Sequence, residues 1–229
     1  MMGRTKKEFP EFWKSYEASF KNGLSHALNK VSFVVLDTET TGFDLKHDRI
    51  LSIGALRIQN GRILAKEAFE VFIEQEKFNT QTVAIHGIRR KGSTQKHSEL
   101  YGLQMLLQLL ENAILVAHHV GFDVGMINQA LKRNGLPKLK NKTLDTAVLY
   151  NRSLRRSERK TEGHFTLDEL AEEFQIATTD RHTALGDAYI TAIALLRIIN
   201  RIQPNSTQEL LKRNRLFGLF NGLYGFLCI

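Results

Sequence analysis

Two carboxylates set two residues apart, Asp37 and Glu39, close an apolar run in FVVLDTETTG, residues 33 to 42. Side chains two apart on an extended chain point to one face, so this pair converges on one spot. Like charges held that close repel, and a divalent cation between them is the usual reason to tolerate it. Read alone, Asp-x-Glu is equally a solvated turn carrying two acids. Two further acids stand in related places. Asp123 falls in the first turn of HHVGFDVGMINQALKRNG, and Asp187 lies in RHTALGDA with His182 five residues ahead of it. An imidazole with its ordinary pKa of about 6.5 can be neutral at working pH and accept a proton; by itself, such a residue is equally a surface histidine at a helix start.

The elements that must position these groups follow from the apolar pattern. The β-branched run ending at Asp37 suits a fully buried strand. Residues 49–59 and 62–73 read as two further strands joined at Asn60-Gly61, a dipeptide that accepts the positive φ angles of a tight turn, so the first three strands form an antiparallel meander. His86-Gly87-Ile88 is expected in a turn. The leucine periodicity of residues 98–110 predicts a helix, and Ala113 to Ala117 a short strand reached from it, hence parallel to the first. Phe122, Met126, Ile127, Ala130 and Leu131 describe a helix ending near Gly135, ahead of Pro137. Residues 142–150 read as a short strand entering a helix, with Asp145 at the junction as a cap in preference to a ligand. Thr166 and Glu169 form a capping box, and a final helix runs from about Thr183 to Arg201. The carboxyl ends of parallel strands in an open α/β sheet border the crevice in which ligands bind, and Asp37, Glu39 and Asp123 all belong there.

Outside this frame lie three segments. Phe9, Phe12, Trp13, Tyr16 and Phe20 form an aromatic stripe on an appended helix within residues 1–30, suited to packing on the chain itself or to a partner. Residues 151–164 carry Arg152, Arg155, Arg156, Arg159 and Lys160 against Glu158 and Glu162 and read as a mobile basic loop. The tail ends in LFGLFNGLYGFLCI, too short to span a bilayer, and suited to docking on the chain, a partner or a membrane surface. The division expected is 1–30, 31–203 and 204–229. At 229 residues and 42 % hydrophobic the chain can bury one core. Its net charge of +8 favours a polyanionic partner, and that gains meaning only beside an acidic site. A single cysteine, Cys228, excludes an internal disulfide or a cysteine-rich zinc site. The charged start MMGRTKKEFPEFWK lacks the apolar run of a signal peptide, so a cytoplasmic location is expected.

Asp37-Thr38-Glu39-Thr40-Thr41-Gly42, His86-Gly87-Ile88, the Val116-Ala117-His118 to Phe122-Asp123 segment, and His182 with Asp187 stand in one order and spacing. In these residues the chain resembles the DnaQ-like proofreading exonucleases of the DEDDh type over about residues 31 to 202. One departure is His119, where asparagine is common in that family. The resemblance implies a ribonuclease H-like α/β fold: a mixed five-stranded sheet, three antiparallel strands plus two parallel ones, flanked by helices. It also implies two Mg²⁺ or Mn²⁺ ions held by Asp37, Glu39, Asp123 and Asp187, with Asp37 bridging, and a pair of ions stabilises both the attacking and leaving oxygens of a phosphodiester. His182 would be the general base, and Glu39, the Thr40 backbone and His86 would meet the terminal nucleotide. The implied activity is removal of nucleoside monophosphates from single-stranded 3′ ends, DNA before RNA, in proofreading or repair. An RNA-trimming exoribonuclease and a non-catalytic polymerase-binding or nucleic-acid-binding module are the alternatives. A DNA polymerase subunit, met through the N-terminal helix or the C-terminal tail, is an implied partner.

Overall fold

The computed structural model describes residues 8–77, 79–88, 94–161 and 163–214. In chain order these form α1 (Glu11–Ala18), β1 (Ser32–Thr40), β2 (Ile50–Gln59), β3 (Arg62–Ile73), α2 (Thr80–His86), β4 (Lys96–His97), α3 (Glu99–Leu110), β5 (Ile114–Ala117), α4 (Val120–Arg133), β6 (Thr143–Asp145), α5 (Thr146–Ser153), α6 (Leu167–Glu173), α7 (Ala184–Ile202) and α8 (Thr207–Arg213). One mixed sheet runs in the order β4-β3-β2-β1-β5-β6. β1, β2 and β3 pair antiparallel, and β5 and β6 continue parallel to β1. Asn60 and Gly61 turn between β2 and β3 at φ of 49° and 70°, the left-handed pair that matches the twist of a two-residue hairpin. Beside the five strands expected, β4 adds two residues parallel to β3. So short a strand has no periodicity to read, and only its neighbour creates it.

The period of β1 sorts the core into two layers. Val34 and Leu36 pack with Trp13, Leu103, Leu107, Met126 and Ile127 under α1, α3 and α4. Phe33 and Val35 face the other way, onto Tyr150, Leu170, Ala188, Leu195, Ile198 and Leu210 of α5 to α8. Strands buried on both faces read as continuous apolar runs because helices cover each side. The aromatic stripe of α1 lies on α3: Trp13 and Tyr16 are buried, and the Tyr16 hydroxyl donates to Asn141 Oδ1 at 2.6 Å while accepting from the Lys140 amide at 2.8 Å.

At the C-terminal side, Ser206 caps α8, Leu210 is buried in the second layer, and Asn214 exchanges hydrogen bonds with the backbone of Thr143 and Asp145 on β6. The first residues of the expected apolar tail therefore close the sheet edge, whereas 215–229 lie outside the described residues. Residues 151–153 of the expected basic loop complete α5, and the segment beyond is tied back by Asn151, whose amide exchanges two hydrogen bonds with the backbone of Lys160. Among the described residues no helix is long and apolar enough to cross a membrane.

Candidate active site

The alternation that sorts the core also sorts the acids. Asp37 and Glu39 continue the Phe33-Val35 face of β1, which looks toward α7, and Thr38 continues the opposite face, toward α4. α7 delivers Asp187 to the first pair: Asp37, Glu39 and Asp187 each offer an oxygen within 4.8 Å of the others. α4 delivers Asp123, whose Oδ1 accepts from Thr38 Oγ1 at 2.8 Å. Two helices on opposite faces thus bring their first-turn carboxylates to the end of one strand. The register of β1 slips between Glu39 and Thr40, and such an irregularity re-aims side chains at a sheet rim.

The start of α7 is built to bring Asp187 close. Gly54 of β2 pairs with Asp37, and a Cβ there would stand 2.1 Å from the Leu185 nitrogen and 2.2 Å from the Ala184 carbonyl carbon. Helix backbone lies directly on strand backbone. Thr183 caps the helix through the Gly186 amide at 3.1 Å, and His182 sits left-handed at φ 66°, its amide directed at Asp187 Oδ1 at 3.3 Å. The His182 side chain is exposed, beside the carboxylates and open to solvent. Arg181 donates through Nη1 to Asp187 Oδ2 at 2.5 Å and grips Asp168 of α6 through Nε and Nη2 at 2.6 and 3.0 Å. One guanidinium therefore fixes an acid of the cluster against a neighbouring helix.

The electrostatics follow from crowding and burial. Burial, then the charges of Asp123, Asp187 and Glu39, hold the Asp37 carboxyl well above its ordinary range, with Arg181 opposing. Burial and Asp187 push Glu39 up to about 8. Asp123, only 3 % exposed, is raised to about 7 by burial, against the Thr38 hydrogen bond. Asp187 is raised by burial in spite of Arg181. Asp37, Glu39 and Asp187 thus gather hard oxygens of the kind that suits a divalent cation, and Asp123, held by Thr38, lies outside that close group of three.

His86 ends α2 and does not sit in a free turn. Its Nδ1 accepts from the Ile88 amide at 3.0 Å, the residue is 8 % exposed, and Nε2 is buried with no partner among the described residues. Burial lowers its pKa. Thr40 spends its hydroxyl on the Gly42 carbonyl at 2.8 Å, leaving only its backbone for any other role. His119 occupies the N-cap position of α4 in the left-handed region at φ 61°, without a capping bond from its side chain, a conformation that asparagine adopts with least strain among residues with side chains. Asp145 accepts from Ala147 and Val148 at the start of α5 and from His119 and Val120 at the start of α4, so it caps two helices at once. His118 bridges Thr146 Oγ1 and the Phe165 carbonyl, each at 2.9 Å, and burial pushes its pKa down to about 3; it is a neutral tie between the β5 end and the irregular segment leading into α6.

A profile of the family described as Exonuclease (RNase T) matches residues 34–195, from the third residue of β1 to the second half of α7. This chain belongs to that exonuclease family. The matched segment contains all four carboxylates and His182. The chain is 31 % identical over 189 residues to a PolC-type DNA polymerase III of Thermotoga petrophila, covering 82 % of this chain and 13 % of that one. It is 35 % identical over 180 residues to a DNA polymerase III subunit epsilon-like protein of Rhodobacter capsulatus, covering 75 % of this chain and 24 % of the relative. The chain thus spans less than a quarter of the length of these relatives. In fold it is similar to E. coli exonuclease I crystallised with a dT13 oligonucleotide, with a TM-score of 0.65 at 18 % identity over 76 % of this chain and 42 % of that one.

Three residues of this exonuclease domain are given no role by the sequence pattern read above: Arg181 and Gly54, which position Asp187, and Phe43, which lies against the ring next to Asp123 in the chain. Arg181 immediately precedes His182, but its partners Asp168 and Asp187 are fixed only by packing. Gly54 inside a strand pattern is a recognised signal of close backbone approach. Phe43 is 50 % exposed and lies 5.8 Å from the ring of Phe122, the neighbour of Asp123; an apolar residue after a turn carries no such signal.

Proposed function

We propose that this domain is a metal-dependent 3′-5′ exonuclease that releases nucleoside monophosphates from single-stranded 3′ ends, with DNA as its substrate. The observation that carries the reading is the convergence of Asp37, Glu39 and Asp187 within 4.8 Å, inside the segment that matches the exonuclease family. The names of the relatives, DNA polymerase III proteins, and the oligothymidylate held by the exonuclease I structure support DNA. Asp37, Glu39, Asp123 and Asp187 would hold two Mg²⁺ or Mn²⁺ ions. Ions bound there would offset the crowded negative charge and stabilise the attacking and leaving oxygens of the phosphodiester.

The remaining work falls to the chain itself. His182 takes the proton of the attacking water: it stands exposed beside Asp187, and its backbone is clamped by that carboxylate. A general base placed this way contributes about 10²- to 10⁴-fold. Arg181 keeps Asp187 in one orientation. Glu39, the Thr40 backbone and the buried Nε2 of His86, without a partner among the described residues, receive the terminal nucleotide, since a polar atom left unsatisfied in the free protein gains a hydrogen bond on binding. The exposed ring of Phe43 offers a face to a base.

The deciding experiment compares 5′-labelled single-stranded DNA and RNA of one sequence with Mg²⁺, Mn²⁺ and chelator. A metal-dependent ladder shortening from the 3′ end on DNA is expected. Digestion of closed circular single strands would instead mean an endonuclease, and faster digestion of RNA would reassign the substrate.

A further inference from the structure

The segment after α5 carries an arrangement that the carboxylate site does not use. Arg152, Arg155, Arg156 and Arg159 lie within one stretch of eight residues, and among the described residues none is paired with a carboxylate; Arg57, Arg133, Arg181, Arg201 and Arg213 are so paired, and Arg49, Arg62 and Arg197 are not but stand apart in the sequence. The one acid among the four, Glu158, accepts from the Arg155 amide at 3.1 Å and so caps the short turn that follows. Arg159 donates to the carbonyls of Leu154 and Arg152 at 3.2 and 3.1 Å. That fold of the backbone brings two guanidiniums together, and burial together with the Arg159 charge disfavours the protonated form of Arg152. Arg155 and Arg156 stand exposed. Like charges gathered without a counterion cost free energy, and a bound anion relieves it.

Their place relative to the site is set by the chain on either side. α5 is capped by Asp145, beside the start of α4, and its turns carry Arg152 about 10 Å away at 1.5 Å per residue. The return path runs through Lys160, which is paired with Glu169 at 2.7 Å, to Phe165 on His118 and to Asp168 on Arg181. The stretch that carries the arginines therefore leaves from, and returns to, the strand ends at which the carboxylates stand.

We propose that Arg152, Arg155, Arg156 and Arg159 form a phosphate-binding clamp for the substrate strand, gripping its backbone a few nucleotides upstream of the 3′ end held at the carboxylates. The inference rests on the exonuclease reading and extends it: the acidic site selects the terminus, and the basic segment holds the strand without reading its sequence. A guanidinium binds a phosphate through two parallel donors, and backbone contacts of this kind carry affinity and not base preference.

The test is equilibrium binding by the full chain in chelator, so that the strand is not consumed. The probes are a labelled oligothymidylate of about 12 nucleotides, within the ~4–16-nucleotide range of single-strand grooves, and a short one that fills only the carboxylate end. The main variant is Arg155→Gln with Arg156→Gln, whose side chains are exposed, and the second is Arg152→Gln. Loss of two phosphate contacts should lower the slope of log affinity against log salt by about 1.4 and weaken the long probe at least about tenfold at low salt. The short probe should be affected far less, and Arg155→Lys with Arg156→Lys should restore the salt slope, which counts charges, even where the two-donor grip is lost. An unchanged slope, or equal losses on long and short probes, or a slope that lysine does not restore, would overturn the clamp. A wild-type chain that digests nothing yet shows this length dependence would sink the exonuclease reading and leave the clamp standing. Digestion of 3′ ends with no length dependence would do the reverse.

Discussion

Replacing Gly54 by alanine tests how the fold assembles the carboxylates. The added Cβ would meet the Leu185 nitrogen at 2.1 Å and the Ala184 carbonyl carbon and oxygen at 2.2 and 2.5 Å. All three are main-chain atoms, so no rotamer change can relieve the contact. Ordinary contact begins near 3.4 Å, so the first turn of α7 must withdraw by roughly 1.3 Å. Asp187 rides on that turn, while Asp37, opposite Gly54 in the register, stays with the sheet. Overpacking of this kind costs about 1–3 kcal/mol, which leaves a domain of ordinary stability, ~5–15 kcal/mol, folded. A displacement of about 1 Å at a reacting centre can cost about 100-fold in rate. Nuclease rate and urea unfolding should be measured together on Gly54→Ala and on Gly102→Ala. The latter adds a Cβ 3.0 Å from the flexible end of Ile73 in the opposite layer, so it perturbs packing away from the acids. The expected result is a folded Gly54→Ala protein with at least about a hundredfold lower rate, and a Gly102→Ala protein that keeps its rate. A Gly54→Ala enzyme with wild-type rate would refute the claim that close approach of α7 to β2 sets the geometry of the site.

Removal of an acid should abolish activity without unfolding: Asp37→Asn is expected to be inactive yet, in chelator, to melt no lower than the wild type, because a repulsive charge has gone, whereas Asp187→Asn, equally inactive, also loses the ion pair with Arg181 and should melt lower. Stability in chelator should fall as pH rises. Glu39 and Asp123 hold protons in the folded state up to about 8 and 7, while the unfolded chain loses them near pH 4. The folded state therefore binds more protons across this window, which makes the slope of unfolding free energy against pH negative; the penalty is absent below pH 4 and complete above about 8. Urea unfolding at several pH values should show this fall, and a Glu39→Gln variant with an equally steep fall would contradict it. Mn²⁺ at a hundredfold excess over its dissociation constant should restore about 2.7 kcal/mol, and equal metal-induced shifts in wild type and Asp37→Asn would place the ions elsewhere. His182→Ala should lose about 10²- to 10⁴-fold in rate while keeping the metal-induced thermal shift; retention of full rate would remove it from proton transfer.

Much of this domain is written in local pattern. The alternation in FVVLDTETTG, together with the apolar run before it, makes β1 a central strand and puts Asp37 and Glu39 on one face whatever surrounds them, because the period of two is a property of the extended backbone. Caps are equally local. Ser98, Thr166, Thr183 and Ser206 each accept from an amide three residues on, since a helix start leaves free N–H groups that only a nearby side chain can reach. The Asn60-Gly61 turn and the parallel placement of β5 follow in the same way, from backbone preference and from the handed crossover through α3.

Tertiary structure decided what depends on distance through space. Nothing in the string says that odd positions of β1 look toward α7 and Thr38 toward α4, nor that Asp187 and Asp123 therefore approach the strand from opposite sides. Arg181 could have paired with any acid of its neighbourhood, and the packing of α6 against α7 chose Asp168 and Asp187. Asp145 could be read as the cap of α5, but its second duty to α4 exists only because β5 and β6 are adjacent. β4 is a strand only because β3 offers it an edge. The sequence by itself determined which residues could do chemistry and the elements that carry them, because backbone periodicity and capping act over a few residues. Which of those groups meet was left to the packing of helices on both faces of one sheet, because contacts between residues far apart in the chain exist only once the core has closed.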